Sequence, residues 1–243
     1  MCVIMIDRRK ENAFTLIELS IVLIIISLIV GGVVGGKSLI KSAELKSIIS
    51  EHNTFQTAYN NFLIQYDDIP GDMANASEYW PGVAVDGNGN RLISGSWLAI
   101  EGVNSWHHLS LAGLVNGTFV GSNGAYGGGS ELGLTVPASK MKGRGWALVD
   151  TGPLHSKNGN ALGFMTPSTF PGGANKYPWG GSLTPRDAIS IDKKFDDGDP
   201  RSGALYIGNA VPGMWLELCV NNTTGVMDFS KTSLDCGLVF WLD

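Results

Sequence analysis

Two short stretches crowd oxygen-bearing side chains together. In Asp86-Gly87-Asn88-Gly89-Asn90 the oxygens fall at alternate positions and the glycines permit tight curvature. That pattern suits Ca2+ and opens like an EF-type loop. The Glu expected at the twelfth position of such a loop is missing; Trp97 stands there, and Glu101 supplies charge only if the chain folds back. The competing reading is a solvated turn. In Asp192-Lys193-Lys194-Phe195-Asp196-Asp197-Gly198-Asp199, four carboxylates fall within eight residues. They repel one another unless a cation or the two lysines intervene. Asp86, Asn88, Asn90, Asp192, Asp196, Asp197 and Asp199 are therefore the candidate Ca2+ ligands, and Ca2+ is the one cofactor the residues suggest.

Catalytic patterns are missing. The chain has four histidines, His52, His107, His108 and His155, and no His-Glu-x-x-His, Cys-x-x-Cys, P-loop or Gly-x-Ser-x-Gly. His107 and His108 are adjacent on a predicted short helix, so they point about 100° apart. They read as a solvated or packed pair. His52 lies on the apolar face of a predicted helix and reads as an interface histidine. No enzyme is expected.

Glu18 is different in kind. It is the only charge in an apolar or small run from Phe14 to Val34, just after the basic cluster Arg8-Arg9-Lys10. A buried charge in a membrane-length segment costs roughly 2.5–3.5 kcal/mol on insertion scales. Glu18 therefore calls for a partner or a processing machine. The order Ala13-Phe14-Thr15-Leu16-Ile17-Glu18-Leu19 resembles the processing site of the type IV prepilin superfamily, the type IV pilins and type II secretion pseudopilins. In that family a basic leader ends at a small residue, mostly Gly, and the next residues are Phe and, four positions later, Glu. Here Ala13 replaces the Gly.

The resemblance is specific over residues 8–40 and only architectural beyond. It implies cleavage between Ala13 and Phe14 by a prepilin peptidase and methylation of the new amino terminus. It further implies assembly through Glu18 with other pilin or pseudopilin subunits, served by an inner-membrane assembly platform. The leader is present whether the start is Met1 or Met5. Pseudopilins of secretion systems often bind Ca2+ in a carboxyl-terminal loop, but the resemblance assigns no ligand residue here. Two other readings fit the apolar run alone: a single-pass anchor, and a signal peptide cut near Gly35-Gly36. The run is longer than the usual h-region of roughly 7–15 residues and has no Ala-x-Ala site. Neither explains the Phe-Thr-Leu-Ile-Glu order.

These residues need elements to hold them. The apolar run continues into Lys37–Tyr66, where Leu45, Ile48, Ile49, Phe55, Tyr59, Phe62 and Tyr66 recur at helical steps. One helix is expected over 14–66, with 14–34 as its transmembrane and assembly part, stopped by Asp67-Asp68-Ile69-Pro70-Gly71. Gly31, Gly32, Gly35 and Gly36 mark either close helix packing or a stretch that melts on assembly. Beyond Pro70 the sequence predicts a short helix around Ser105–Val115 and an exposed glycine-rich loop over 121–130. It predicts strands at Trp146–Val149, Ala161–Met165, Ala204–Ile207, Met214–Val220, Val226–Phe229 and Leu238–Leu242, with a hairpin turn at Asn158-Gly159. The fold class is α+β: a long amino-terminal helix packed on a mostly antiparallel sheet. The organisation is a leader over 1–13, the helix over 14–66 and a periplasmic or extracellular domain over 67–243.

The chain has 243 residues and a net charge of −5, and the leader carries +1 of it. An acidic surface argues against nonspecific nucleic-acid binding, and no nucleic-acid partner is expected. The basic cluster places the amino end in the cytoplasm and the domain outside it; the resemblance implies a single-pass inner-membrane anchor, a periplasmic domain and then a place in a filament. Outside the cytoplasm disulfides persist. Cys219 and Cys236 are either bridged or two buried thiols; pilins commonly carry a bridge near the carboxyl end. A second functional reading stays open, an anchored extracytoplasmic binding module that never polymerises. Tyr79-Trp80-Pro81-Gly82 and Tyr177-Pro178-Trp179-Gly180 are its candidate exposed aromatics.

Overall fold

A computed structural model describes residues 15–93, 100–122, 129–150, 159–169, 176–209, 219–221 and 224–242. The chain forms two compact units, one through Ala43 and one from Glu44 onward. The boundary falls inside helix α1, Leu16–Tyr66. The amphipathic half of that helix thus belongs to the globular unit.

The first unit is the apolar part of α1. Its side chains are exposed in the isolated chain, from Leu16 at 89% to Ile40 at 62%. The helix runs unbroken through Gly31, Gly32, Gly35 and Gly36. A Cβ at any of the four would meet nothing. No contact among the described residues therefore requires glycine there.

In the second unit α1 turns a stripe inward. Leu45, Ile48, His52, Ala58, Tyr59 and Phe62 are buried, at three-, four- and seven-residue steps. Phe55 packs edge-on against Trp106, with ring centroids 4.9 Å apart. Glu51 ties the same helix to the sheet. The Trp146 indole N–H donates to Oε2 at 2.7 Å and the Lys140 N–H to Oε1 at 2.9 Å. The helix stops at Asp67, whose φ of 54° lies in the left-handed region. Pro70-Gly71 follows, as its sequence indicates. Gly71 is obligatory: its φ is 86°, and a Cβ would collide with the Glu101 carbonyl and Ser105.

Helix α2, Ala76–Tyr79, is a single turn. Helix α3, Ile100–Leu111, begins and ends earlier than Ser105–Val115. Gly113, at φ 70°, stops the chain before Val115. Helix α4, Pro185–Phe195, occupies a stretch for which the sequence reading had no helix. Its start is written locally. Thr184 caps it, accepting from the Asp187 N–H, and Pro185 takes the first helical position.

The sheet carries β1 (Gly145–Asp150), β2 (Asn160–Thr169), β3 (Lys176–Gly180), β4 (Leu205–Asn209) and β5 (Cys236–Trp241). Its main order is β1-β2-β5-β4, every pair antiparallel, with β3 joined to the far end of β2. This is the expected α+β class. Alternation sorts the side chains onto two faces. Trp146, Leu148, Leu162, Phe164, Leu205, Ile207, Leu238 and Phe240 join the main core with α1 and α3. Ala147, Val149, Ala161, Met165, Val239 and Trp241 cluster separately.

Two expectations are corrected. Strands β1 and β2 do pair, but Asp150 faces Asn160, so their connection is longer than a two-residue turn at Asn158-Gly159. Residues 151–158 lie outside the described ones. The stretch Val226–Phe229 is no strand; only Met227 bridges, to Val220. Gly225 at φ 72° and the Asp228–Ser230 turn bend it away from a ladder. At the ends of the 121–130 stretch, Ser122 and Ser130 are buried. Residues 123–128 and 214–218 lie outside the described residues. Cys219 and Cys236 are bridged, fastening the 219–236 loop to the start of β5.

His107 and His108 are packed rather than solvated. His108 is fully buried. Its Nδ1 accepts from the Gly71 N–H at 3.0 Å, so the ring proton sits on Nε2, 3.1 Å from the Val85 carbonyl. One neutral imidazole thus joins α3 to two turns. Burial lowers its pKa to about 4, against the pull of the Val85 carbonyl. In the unfolded chain a histidine titrates near 6.5. Between those values the unfolded state binds more protons, so stability is full above about pH 6.5 and falls as the pH drops toward 4. The window is worth about 3 kcal/mol. Burial shifts His52 and His107 in the same direction. The His108 ring resonances of the folded protein are expected to hold steady from pH 7.5 to about 5 while denaturant resistance falls. A ring that titrates near 6.5 would contradict this role.

Candidate functional site

The amino-terminal turn of α1 is built as a reciprocal cap. Thr15 stands just before the helix, and Glu18 is its third helical residue. The Thr15 N–H and hydroxyl each donate to Glu18 Oε2 at 2.8 Å, and the Glu18 N–H donates to Thr15 Oγ1 at 3.3 Å. This is the Thr-x-x-Glu capping box, legible in Thr15-Leu16-Ile17-Glu18. It supplies a partner for Glu18 inside its own chain. A negative side chain is also favoured at this end of a helix dipole.

The cap does not remove the charge. Both Thr15 bonds fall on Oε2, and neither donor is a cation. The remaining polar groups of the span are satisfied within the helix. The Ser20 hydroxyl donates to the Ile17 carbonyl at 2.9 Å and the Ser27 hydroxyl to the Leu23 carbonyl at 2.7 Å. That is the bonding a lipid environment requires. Helix α1 is long and apolar enough to cross a membrane. Glu18 is thus the one charge in the span whose counterion must come from elsewhere. Ala13 and Phe14 lie outside the described residues.

The two acidic stretches differ. In the first, Asp86 accepts from the Ser77 N–H and hydroxyl at 2.7 and 2.9 Å. Asn88 and Asn90 each accept from the backbone N–H two residues on. The chain does fold back to Glu101, but as an acceptor: the Asn88 amide donates to it at 2.5 Å. The loop is organised by buried Asp72, which accepts from the Asn90 and Arg91 N–H groups at 3.2 and 2.6 Å. The glycines serve this packing, since a Cβ on Gly87 would collide with the Asp72 backbone. The oxygens of Asp86, Asn88 and Asn90 each accept from the protein's own donors, and none of the three joins a convergent carboxylate group among the described residues.

In the second stretch the carboxylates converge. One oxygen each from Asp192, Asp196 and Asp197 lies within 4.8 Å of the others. Asp192 is not in a loop, as its sequence context indicated, but in the last turn of α4, and it is fully buried. Burial pushes its carboxyl up to about 7, and Asp197, Asp196 and Asp199 push the same way. Asp199 accepts from the Arg201 N–H at 3.1 Å and is not one of the convergent three.

The aromatic candidates also separate. Tyr79 is 52% exposed and sits edge-on to Tyr66, with Trp80 beside both. Tyr177, Pro178 and Trp179 lie on β3, and their side chains fall outside the described residues.

With this geometry in place, comparison with known proteins decides what the amino-terminal site is. Residues 8–34 match the family model described as the prokaryotic N-terminal methylation motif. The chain carries the leader signature of type IV pilin-like and pseudopilin-type proteins. The matched stretch contains Ala13, Phe14, the capping box and the apolar span as far as Val34. No curated protein and no solved structure matches the chain.

The cap makes a direct prediction. Replacing Thr15 by Val removes the hydroxyl that both accepts from and donates to Glu18. An N-cap loss costs about 1 kcal/mol. First-turn amides of α1 in detergent micelles are then expected to exchange about fivefold faster. Unchanged exchange in Thr15→Val would contradict the cap.

Proposed function

We propose that this chain is a structural subunit of a type IV pilus-like or type II secretion pseudopilus filament. A prepilin peptidase cuts it before Phe14, the new amino terminus is methylated, and the subunit polymerises through α1. The carrying observation is the methylation motif over residues 8–34, placed on a helix whose apolar side chains have no cover in their own chain. The role is one of assembly, not catalysis. Before assembly the amino end faces the cytoplasm and the globular unit the periplasm, as the Arg8-Arg9-Lys10 cluster favours. Other subunits and an inner-membrane platform are the partners.

The mechanism follows from Glu18. Cleavage before Phe14 creates a positive amino terminus four residues from it. In a filament the carboxylate of one subunit pairs with the amino terminus of its neighbour, and that pair sets the register between them. Removing one partner of a buried ion pair costs about 3–5 kcal/mol. The intrachain cap does not compete with this pairing, because Thr15 occupies only Oε2.

Two substitutions divide the roles of Glu18. Glutamine at this position still makes a capping box but has no charge. Glu18→Ala and Glu18→Gln are both expected to be cleaved normally and to assemble poorly. Normal filament yield from Glu18→Gln would show that the cap, not the charge, is what assembly needs. Single cysteines placed over 16–34 are expected to give ladders of crosslinked chains in native membranes. Monomers alone would point to the anchored binding module instead.

A further inference from the structure

The Tyr79-Trp80-Pro81-Gly82 stretch has no part in the membrane span. Tyr79 and Val83 are each more than half exposed. The half-buried rings of Tyr66 and Trp80 lie 5.3 and 5.9 Å from the Tyr79 ring. An apolar face is thus presented at the end of α1. Carboxylates rim it. Asp67 and Asp68 follow Tyr66, and Glu78 precedes Tyr79. Asp86 is fastened to the Ser77 N–H and hydroxyl, two residues before Tyr79. Asp68 and Asp86 both act on His108, whose ring is 5.9 Å from that of Trp80. Positive charge is missing. The sequence has no lysine or arginine from Ser47 to Asn90, and α1 has no basic residue in its last turn. The carboxyl end of a helix is electronegative and favours cations, yet two aspartates stand there. Exposed aromatic rings attract lysine and arginine as well. The face therefore calls for a basic partner.

The other half of such a contact lies on the same chain. From Leu132 to Val149 there is no acidic residue, and Lys140, Lys142 and Arg144 fall together. They lie on a turn closed by the bridge between Ala138 and Gly145. The Lys140 and Lys142 side chains are exposed. The turn is held from both sides. Arg144 donates to the Lys142 and Ser182 carbonyls at 2.7 and 3.2 Å, and Glu51 of α1 accepts from the Lys140 N–H at 2.9 Å. Glu51 precedes Tyr66 by about four turns of α1, roughly 22 Å. The acidic and basic faces are thus displaced from each other along the helix. A contact between them joins two copies shifted along α1. Such a heterologous contact repeats from copy to copy without closing, as a filament requires.

We propose that the Tyr79 face of one copy receives the Lys140–Arg144 turn of a second copy, so that the globular units dock head to tail. This rests on the reading of the chain as a filament subunit and adds to it a contact outside the membrane span. Asp67, Asp68 and Glu78 meet Lys140 and Lys142, and the Tyr79 ring lies against the lysine stems. The contact supplies the missing cation at the end of α1.

The test uses the full chain in its native membranes and a thiol-specific crosslinker. Val83→Cys and Ala138→Cys in one chain are expected to give ladders, and either alone no dimer. In that chain, Lys140→Glu with Lys142→Glu is expected to cut the ladder yield at least fivefold. Adding Asp67→Lys and Glu78→Lys restores it, which a merely structural role of these exposed side chains would not do. Ladders from single cysteines over 16–34 report filament assembly separately. If those form while the Val83→Cys, Ala138→Cys chain gives none, the head-to-tail contact is overturned and the filament reading stands; if neither forms, both fall. Dimers from Val83→Cys alone would mean a symmetric contact and overturn the proposal. So would a yield unchanged by the lysine reversals, or a loss that the exchanged charges do not restore.

Discussion

An apolar helix that its own chain does not cover is the constraint on which the rest depends. Side chains from Leu16 to Ile40 stand exposed, and they must be covered by lipid or by copies of the same segment. The polar side chains of residues 15–34 are folded back onto the helix: Thr15 and Glu18 cap its start, and Ser20 and Ser27 bond the preceding turn. Gly31, Gly32, Gly35 and Gly36 touch nothing among the described residues that would require them. They suit close approach by another helix, as small residues do in membranes. In residues 15–34 only the charge of Glu18 is left unresolved, and a neighbouring amino terminus would resolve it.

The same helix meets a different solvent in its second half. From Leu45 to Phe62 it becomes the central element of an ordinary water-soluble core. Polar groups there act as fasteners. Glu51 holds the Trp146 indole and the Lys140 backbone. His108 joins two turns through a neutral ring, and Ser105 reaches the Pro70 carbonyl at 2.7 Å. One continuous helix therefore carries two burial codes, all-round apolar and then one-sided, and the unit boundary at Ala43 is where the code changes.

Much of this was legible in the sequence. The 3.6-residue stripe predicted the buried face of α1, and Pro70-Gly71 its end. Alternating apolar runs located β1, β2, β4 and β5, and Cys219 and Cys236 proved to be a pair. What escaped notice was chemistry that only a fold defines. The Thr184-Pro185-x-Asp187 start of α4 was present in the letters, but the acidic run behind it reads as a loop because its charges hide the helical step. The loop of Asp86, Asn88 and Asn90 reads from its letters as a string of oxygens, whereas its shape depends on Ser77 and Asp72, which only the fold brings to it. Asp192 looks exposed beside two lysines until α4 turns it inward. Glu18 was recognised from its spacing, whereas its bond to Thr15 needed the helix to start at Leu16.

The central claim is that residues 8–34 are read by a prepilin processing system. The most direct test is the intact mass and amino-terminal sequence of the protein from its native membranes. The account predicts a mature chain beginning at methylated Phe14. A chain beginning at Met1 or Met5, with the leader intact, would contradict it and leave an anchored domain with no route into a filament.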